Sequence, residues 1–179
     1  DQIQGFLEVP VDHLFVSNVF LPVIREKYME DIVIASPDTG GTKRASTYAK
    51  ALNCDLAIGY KQRVKQNEVA SLQIIGDVKG KNVILVDDMI DTAGTLCKAA
   101  GRIKEMGAKS VRAMCAHGLF SGSAIENIEN SVLEEVLVTD TVPLRKECSK
   151  IKVVSVSKLM AEVIQAVVDD TSISSHYYV

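Results

Sequence analysis

Two kinds of hydrophobic pattern alternate along the chain from residue 31 onward. Short apolar runs predict buried strands, and segments with an apolar residue every three or four positions predict amphipathic helices. The predicted strands are residues 31–36, 54–60, 81–88, 110–117, 132–140 and 150–156, and the predicted helices are residues 42–53, 95–108, 123–131 and 159–170. Because strands and helices follow in turn, the pattern predicts an α/β fold, with a mainly parallel, twisted sheet and helices on both faces.

The two ends of the chain depart from this alternation. Residues 1–12 fit neither pattern, and the polar, aromatic tail TSISSHYYV (171–179) could form an extra strand at the edge of the sheet. The chain begins with Asp1 and not with Met, so we expect a fragment or a processed product. Residues 1–179 are predicted to form one domain, because 47% of hydrophobic residues in a chain of this length suffice for one sizeable core.

Composition and charge narrow the classes of function. The formal net charge of the chain is −3. The chain therefore lacks the excess of basic residues typical of nucleic-acid-binding proteins, and no nucleic-acid partner is expected. The longest apolar runs fall far short of the ~20 residues of a membrane span, and no signal peptide is visible. The four cysteines are widely spaced, without a Cys-x-x-Cys pair, which predicts reduced thiols. These features predict a cytoplasmic protein without a membrane partner.

The loop SPDTGGTKR (36–44) follows a predicted strand and precedes a predicted helix. Gly40 and Gly41 would allow close backbone approach and a positive φ. The N–H groups of the following helix would then face outward, at the positive end of its dipole. This arrangement is typical of a phosphate-binding loop, although a simple turn explains this stretch about as well.

A second loop of the same design follows the strand 81–88. The stretch DDMIDTAGTL (87–96) adds the hydroxyl groups of Thr92 and Thr95 to a glycine turn. Carboxylates beside a phosphate site are explained by a sugar phosphate, whose hydroxyl groups they would bind, or by Mg²⁺. Alternatively, Asp91 or Thr92 could simply cap the next helix. Two such loops at equivalent strand ends, with one strand between them along the chain, favour a ligand site.

A basic segment, YKQRVKQNEVA (60–70), lies between these loops in the chain. Lys61, Arg63 and Lys65 could form an ordinary solvated loop. They could equally lie on a mobile flap that brings cations to a polyphosphate, where positive charge stabilises phosphoryl transfer. The position of the segment does not decide between these interpretations.

Four stretches together resemble one enzyme family. VILVDDMIDTAGTL (83–96) resembles the ribose-phosphate-binding motif of the type I phosphoribosyltransferase-like fold. The stretches DQIQGFLEVPVDHL (1–14), SPDTGGTKRA (36–45) and YKQRVKQNEVA narrow the resemblance to the ribose-phosphate pyrophosphokinases, also called phosphoribosyl pyrophosphate synthetases. The resemblance covers nearly the whole chain.

The resemblance implies a role for each matching residue. Ribose 5-phosphate would be bound by Asp87, Asp88, Asp91, Thr92, Ala93, Gly94 and Thr95. Pyrophosphate would be bound by Asp38, Thr39, Gly40 and Gly41, with Asp38 also a ligand of the cofactor Mg²⁺. Lys61 and Arg63 would be the catalytic cations. Ser172, Ser174 and Tyr177 match positions that form part of an allosteric site in the family.

The activity implied by the resemblance is ribose-phosphate diphosphokinase activity in nucleotide biosynthesis. The β,γ-diphosphoryl group of ATP would be transferred to ribose 5-phosphate, giving phosphoribosyl pyrophosphate and AMP. Family members have two similar halves, and this chain matches the C-terminal one. Residues 1–14 and 167–179 would then pack on the missing half, and the fragment alone would be inactive. The intact family forms hexamers, and a homo-oligomer, dimeric or other, is expected here.

Two other classes remain open. A phosphoribosyltransferase would share the loop 87–96 but would need a hood over its base, and no such segment is visible. A non-catalytic regulatory protein that binds phosphoribosyl pyrophosphate would need a DNA-binding module or an insertion near the basic segment. Neither is visible, so the sequence favours the diphosphokinase.

Overall fold

The computed structural model describes residues 2–62 and 71–177. In these ranges seven strands form one sheet, in the order β3-β2-β1-β4-β5-β6-β7. The strands are β1 (Ile32–Ser36), β2 (Asp55–Gln62), β3 (Ser71–Ile75), β4 (Asn82–Ile90), β5 (Ser110–Gly118), β6 (Glu135–Thr139) and β7 (Ile151–Val154). The α-helices are α1 (Ser17–Lys27), α2 (Thr42–Leu52), α3 (Gly94–Glu105), α4 (Ala124–Glu129) and α5 (Ser157–Val168). Three short 3₁₀ helices cover Gln2–Gly5, Thr39–Gly41 and Ser174–His176.

The sheet is parallel except at one edge, where β3 runs antiparallel to β2. All six predicted strands and four predicted helices are confirmed, with boundaries shifted by a few residues. Two elements were missed, α1 and β3. α1 contains Pro22, which cannot donate a helical hydrogen bond and interrupts the sequence pattern. β3 is an edge strand that directly follows a polar segment, and its alternation is weak.

The core lies in two layers, one on each face of the sheet. Successive side chains of a strand point to opposite faces, so Val33 and Ile34 of β1 enter different layers. One layer is covered by α1 and α2, through Phe20, Ile24 and Tyr48 among others. The other is covered by α3 and α4. The predicted α/β class with helices on both faces is therefore confirmed.

The prediction that the tail forms an extra edge strand is wrong. Asp170 has a φ of +51°, which turns the chain back at the end of α5. Instead of reaching β7, the tail forms the 3₁₀ helix Ser174–His176 beside α1, where Asn18 Nδ2 donates to the carbonyl of His176. Among the described helices, none is long and apolar enough to cross a membrane.

Candidate ligand-binding site

The two predicted loops lie side by side at the carboxyl end of the sheet. β1 and β4 are hydrogen-bonded neighbours, with Ala35 opposite Leu85. β2, which follows β1 in the chain, lies on the other side of β1, so the strand order reverses between β1 and β4. Ligands of open α/β sheets bind at such a switch point, beyond the carboxyl ends of the strands. The topology thus brings both loops to the expected place.

The loop after β1 is held together by its own aspartate. Oδ1 of Asp38 accepts hydrogen bonds from the N–H groups of Gly40, at 2.9 Å, and Gly41, at 3.3 Å. The hydroxyl of Ser36 donates to the carbonyl of Asp38 at 2.6 Å. These two amides therefore point to Asp38 and are not directed to solvent. The reason is that Asp38 caps the 3₁₀ helix Thr39–Gly41.

The glycines of this loop serve close packing and not a positive φ. Neither Gly40 nor Gly41 has a positive φ, contrary to the sequence-based expectation. A Cβ atom on Gly41 would lie 2.5 Å from Oγ of Ser36, so only glycine fits there without movement. The tightest position is one that sequence reasoning missed: a Cβ on Gly59 of β2 would lie 2.3 Å from the carbonyl oxygen of Pro37.

The loop after β4 is anchored through its carbonyl groups. Three consecutive carbonyls accept hydrogen bonds from the segment between β5 and α4 and from α4 itself: Ile90 O from Leu119 N (2.9 Å), Asp91 O from Ser121 N (3.0 Å) and Thr92 O from Asn127 Nδ2 (3.0 Å). Ala93 then turns the chain into α3 with a φ of +60°. These bonds fix the conformation of the loop.

The N–H groups of this loop, unlike its carbonyl groups, form no hydrogen bond with a described part of the protein. Within the ranges that the structure describes, no amide of residues 91–96 donates a hydrogen bond to a protein acceptor. The simple capping alternative is excluded, because the N-cap of α3 is Ala93 and no side chain caps the helix. Open amides at the positive end of a helix dipole, beside the exposed hydroxyl of Thr92, favour an anion such as phosphate.

A pair of carboxylates, those of Asp87 and Asp88, lies near the end of β4 and precedes this loop in the chain. Arg44 of α2 bridges them: Nη1 lies 3.1 Å from Oδ1 of Asp87, and Nη2 lies 2.7 Å from Oδ2 of Asp88. Burial raises the pKa of Asp87 from the ordinary 3.8 to about 6. The neighbouring Asp88 carboxylate adds to this rise in pKa, while the Asp88 amide and the Arg44 guanidinium oppose it.

The raised pKa of Asp87 predicts a pH dependence of stability. The Asp87 carboxyl binds its proton more tightly in the folded protein than in the unfolded chain. Ionisation of Asp87 therefore lowers the free energy of unfolding above about pH 6, and this effect disappears as the pH falls towards about 4. We expect Asp87→Asn to raise the free energy of unfolding, relative to wild type, at about pH 7.5 and to lose this advantage near about pH 4. Denaturant unfolding at several pH values measures the difference.

The exposed Asp169, at the end of α5, provides the control variant Asp169→Asn for that series. Arg44 keeps Asp88 as its partner in Asp87→Asn, so the ion pair is not lost altogether. A constant difference between Asp87→Asn and wild type over the whole pH range would contradict the raised pKa.

Lys61 reaches the loop after β4 from the end of β2. Its Nζ donates to Oγ1 of Thr95 at 3.3 Å, although the two residues are 34 positions apart in the chain. This contact brings the exposed ammonium group of Lys61 to the loop after β4. Arg63 and Lys65 lie outside the described residues.

Comparison with known proteins identifies the family of this chain. The family model described as "Phosphoribosyl synthetase-associated domain" matches residues 61–178. The chain belongs to this family.

Two relatives of this chain from different bacteria carry the same name. The chain is 49% identical over 179 residues to "Ribose-phosphate pyrophosphokinase" of Porphyromonas gingivalis, covering 99% of this chain and 57% of that protein. It is 53% identical over 174 residues to the protein of the same name in Wolinella succinogenes, covering 97% and 56%. The resemblance inferred from the motifs is confirmed. The chain spans a little over half the length of these relatives.

Solved structures agree with this assignment. A phosphoribosylpyrophosphate synthetase from Mycobacterium smegmatis is similar with a TM-score of 0.87 and 38% identity, covering 95% of this chain and 56% of that one. An adenine phosphoribosyltransferase, with a TM-score of 0.54 and 20% identity, covers 66% of this chain and 76% of that one and shares the fold alone.

The donor set of this family member fits a magnesium ion that is bound mainly by substrate. Among the described residues there is no group of three or more His, Cys, Asp or Glu side chains that could hold a metal. Asp38 offers one partly exposed carboxylate beside the loop after β1. Mg²⁺ is commonly held by one or two carboxylates together with substrate phosphates, so a single aspartate suffices.

The candidate allosteric residues lie together at the tail. Ser172 and Ser174 share a hydrogen bond of 2.7 Å between their hydroxyl groups, and the hydroxyl of Tyr177 donates to Asp12 at 2.9 Å. None of these hydrogen bonds reaches the loops after β1 and β4. The hydrogen bond of Tyr177 therefore brings the tail to the N-terminal segment at Asp12.

Three residues that support the site were missed by sequence reasoning: Arg44, Gly59 and Asn127. Arg44 lies three positions after Gly41 in a motif that was itself recognised, but nothing local indicates that it bonds residues 43 positions away. Gly59 and Asn127 lie in an apolar strand pattern and a short helix pattern. A glycine inside a strand does indicate close approach of another backbone segment, and this was the one signal available.

Proposed function

We propose that this chain is the ribose-phosphate-binding half of a ribose-phosphate diphosphokinase. The enzyme would transfer the β,γ-diphosphoryl group of ATP to ribose 5-phosphate, giving phosphoribosyl pyrophosphate and AMP for nucleotide biosynthesis. One observation carries the proposal: the amides of residues 91–96, which have no acceptor among the described residues, follow the Asp87–Asp88 pair in the chain, and Lys61 donates to Thr95 in the same segment. Anion donors, hydroxyl acceptors and a cation are the three kinds of group that this reaction requires.

Ribose 5-phosphate occupies the loop after β4 in this proposal. The amides of residues 91–95 and the hydroxyl groups of Thr92 and Thr95 bind the 5-phosphate. The carboxylates of Asp87 and Asp88 accept hydrogen bonds from the ribose hydroxyl groups. Support comes from the anchored carbonyls, which fix the backbone of the loop, and from its amides, which have no acceptor among the described residues.

The diphosphate being transferred lies against the loop formed by Asp38, Thr39, Gly40 and Gly41. This loop is adjacent to the sugar-phosphate loop because β1 pairs with β4. Asp38 would hold Mg²⁺ together with the phosphates, and the ion, when bound, would neutralise charge on the transferred group. Since Asp38 already binds two amides of its own loop, its carboxylate is oriented before any ligand arrives.

Catalysis rests on positioning and positive charge. Lys61, and with it Arg63, would stabilise the charge that develops on the phosphoryl oxygens. The contact of Lys61 with Thr95 supports this assignment, because it brings the ammonium group to the sugar-phosphate loop. No general base is assigned.

The remaining half of the enzyme would cover residues 1–14 and 167–179. Large apolar side chains are exposed in both segments, including Phe6, which is 84% exposed, and Val168, which is 71% exposed. The hydrogen bond between Tyr177 and Asp12 places the two segments next to each other. This half would complete the ATP site and, in a homo-oligomer, an allosteric site at Ser172, Ser174 and Tyr177. The 179 residues alone would then form negligible AMP.

Titration of this chain with ribose 5-phosphate, with and without Mg²⁺, tests the proposal by calorimetry. We expect saturable binding that is lost in Asp87→Asn, Thr92→Ala, because this variant removes a charged acceptor for the ribose hydroxyl groups and a hydroxyl donor for the 5-phosphate. The same tubes, supplied with ATP, should contain no AMP above background.

The matched control for the titration is Asp55→Asn, Thr171→Ala, which makes the same chemical changes at two exposed positions outside the loops. It should bind ribose 5-phosphate as wild type does. Absence of binding by wild type at millimolar ligand, or equal binding by both double variants, would overturn the sugar-phosphate site. Robust AMP formation would overturn the need for a second half.

A further inference from the structure

Arg44 connects the two loops of the site. It lies in the first turn of α2, which follows the loop after β1, and its guanidinium bonds both carboxylates at the end of β4. The side chain of Arg44 is only 31% exposed, and that of Asp87 only 26%. The side chain of Asp88 is 64% exposed. The pair of Arg44 with Asp87 is therefore the partly buried part of the bridge, and it differs from an ordinary surface ion pair, which contributes little.

The bridge solves a geometric difficulty for two consecutive residues. Side chains at successive positions of a strand ordinarily point to opposite faces, and two neighbouring carboxylates repel each other. A guanidinium can hold both carboxylates at once, since it is planar and has several donors in a fixed fork. Lysine has a single point charge and lacks this geometry.

The atoms used by Arg44 leave acceptors for a ligand. Arg44 takes Oδ1 of Asp87 and Oδ2 of Asp88, and the amide of Asp88 adds a second hydrogen bond to Oδ1 of Asp87 at 2.9 Å. The second oxygen of each carboxylate is outside these bonds. Because one guanidinium holds both carboxylates, their two remaining oxygens are suited to accept hydrogen bonds from a pair of neighbouring hydroxyl groups.

We propose that Arg44 is the positioning residue of the sugar site, which holds Asp87 and Asp88 where they recognise the two adjacent hydroxyl groups of ribose. Arg44 thereby determines selectivity for ribose phosphates over phosphates that lack this pair of hydroxyl groups. The inference rests on the proposed function, because it assumes that the phosphate lies on residues 91–95.

Two phosphate ligands separate a positioning role from a general electrostatic one. Ribose 5-phosphate carries both hydroxyl groups, and 2,3-dideoxyribose 5-phosphate carries neither. We expect calorimetric titration of this chain to show selectivity for the former in wild type. Arg44→Met should lose about tenfold in affinity for ribose 5-phosphate, the scale of one hydrogen bond to a charged group, with little change for the dideoxy ligand.

Three further variants sharpen the test. Lys50→Met removes an exposed cation from the last turn of the same helix and should behave as wild type with both ligands. Arg44→Lys keeps the charge but loses the fork, so its selectivity should fall between those of wild type and Arg44→Met. In the double variant Arg44→Met, Asp87→Asn, the losses should be less than additive, because Arg44 acts through the carboxylates.

Each outcome decides the inference. Unchanged selectivity in Arg44→Met, or an equal loss for both ligands, would overturn it, since the second result describes a cation that attracts phosphate. If Arg44→Met does not fold, Arg44→Lys decides by the same criterion. Failure of wild type to bind either ligand would instead overturn the phosphate site on which the proposed function rests. Binding without selectivity for ribose would leave that phosphate site in place and overturn the role of Arg44, together with the recognition of the hydroxyl groups by Asp87 and Asp88.

Discussion

Replacement of Lys61 by alanine, in a protein that contains these residues together with the second half, is expected to lower turnover by roughly 10²-fold or more, the usual cost of removing one group that stabilises transition-state charge. Binding of ribose 5-phosphate should change little. The ammonium group, which lies 3.3 Å from Oγ1 of Thr95, is proposed to stabilise charge on the transferred group, whereas the loop amides hold the 5-phosphate without it. Steady-state AMP formation and calorimetry measure the two quantities.

The control for this experiment is Lys98→Ala, which removes one positive charge from the exposed side of α3. It should leave turnover close to wild type. Near-normal turnover in Lys61→Ala would refute the catalytic role. A parallel loss of ribose 5-phosphate binding would instead assign Lys61 to substrate binding.

The second large effect is expected at Gly59. An added Cβ would lie 2.3 Å from the oxygen and 2.8 Å from the carbon of the Pro37 carbonyl, and these backbone atoms cannot rotate away. Either β2 or the loop after β1 must move. We expect Gly59→Ala to lower the free energy of unfolding by about 1–3 kcal/mol or more, as overpacking does, and to lower turnover in the full-length protein through displacement of Asp38.

Gly101 provides an opposite case on the same chain. It lies inside α3, and a Cβ there would meet nothing within 4 Å. Gly101→Ala should therefore raise the free energy of unfolding by about 0.5–1 kcal/mol, the usual gain for this exchange in a helix. Denaturant unfolding measures both variants. If Gly59→Ala unfolds at the same denaturant concentration as wild type, the close approach of Pro37 does not constrain the site.

Several features were predictable because their signals are local. Leu96, Ala99, Ala100 and Ile103 recur at helical spacing, and all four are buried on one face of α3. Gly107 lies just beyond the end of α3 and has a φ of +92°, so this glycine is a local signal for the end of the helix. The glycine-containing loops after β1 and β4 were likewise visible as short motifs between a strand pattern and a helix pattern.

Other features were not predictable because the local signal is weak or ambiguous. α1 buries Phe20 and Ile24, but Pro22 between them argues against a helix when the sequence alone is considered. The tail has the composition of an edge strand, and only the turn at Asp170 directs it to α1 instead. The sequence allowed the Asp38 carboxylate to be assigned to a metal. Its two hydrogen bonds to amides of its own loop depend on the backbone conformation and could not be predicted from the sequence.

The sequence by itself determined the fold class, the two loops and the resemblance to the ribose-phosphate pyrophosphokinases, because periodicity and short motifs are written within a few residues of one another. Only the tertiary structure decided how the site is assembled. Strand order makes β1 and β4 neighbours, which brings Arg44 to Asp87 across 43 positions of the chain, and the length of β2 brings Lys61 to Thr95 across 34. Contacts between distant residues depend on the pairing of whole strands, and no local pattern encodes them.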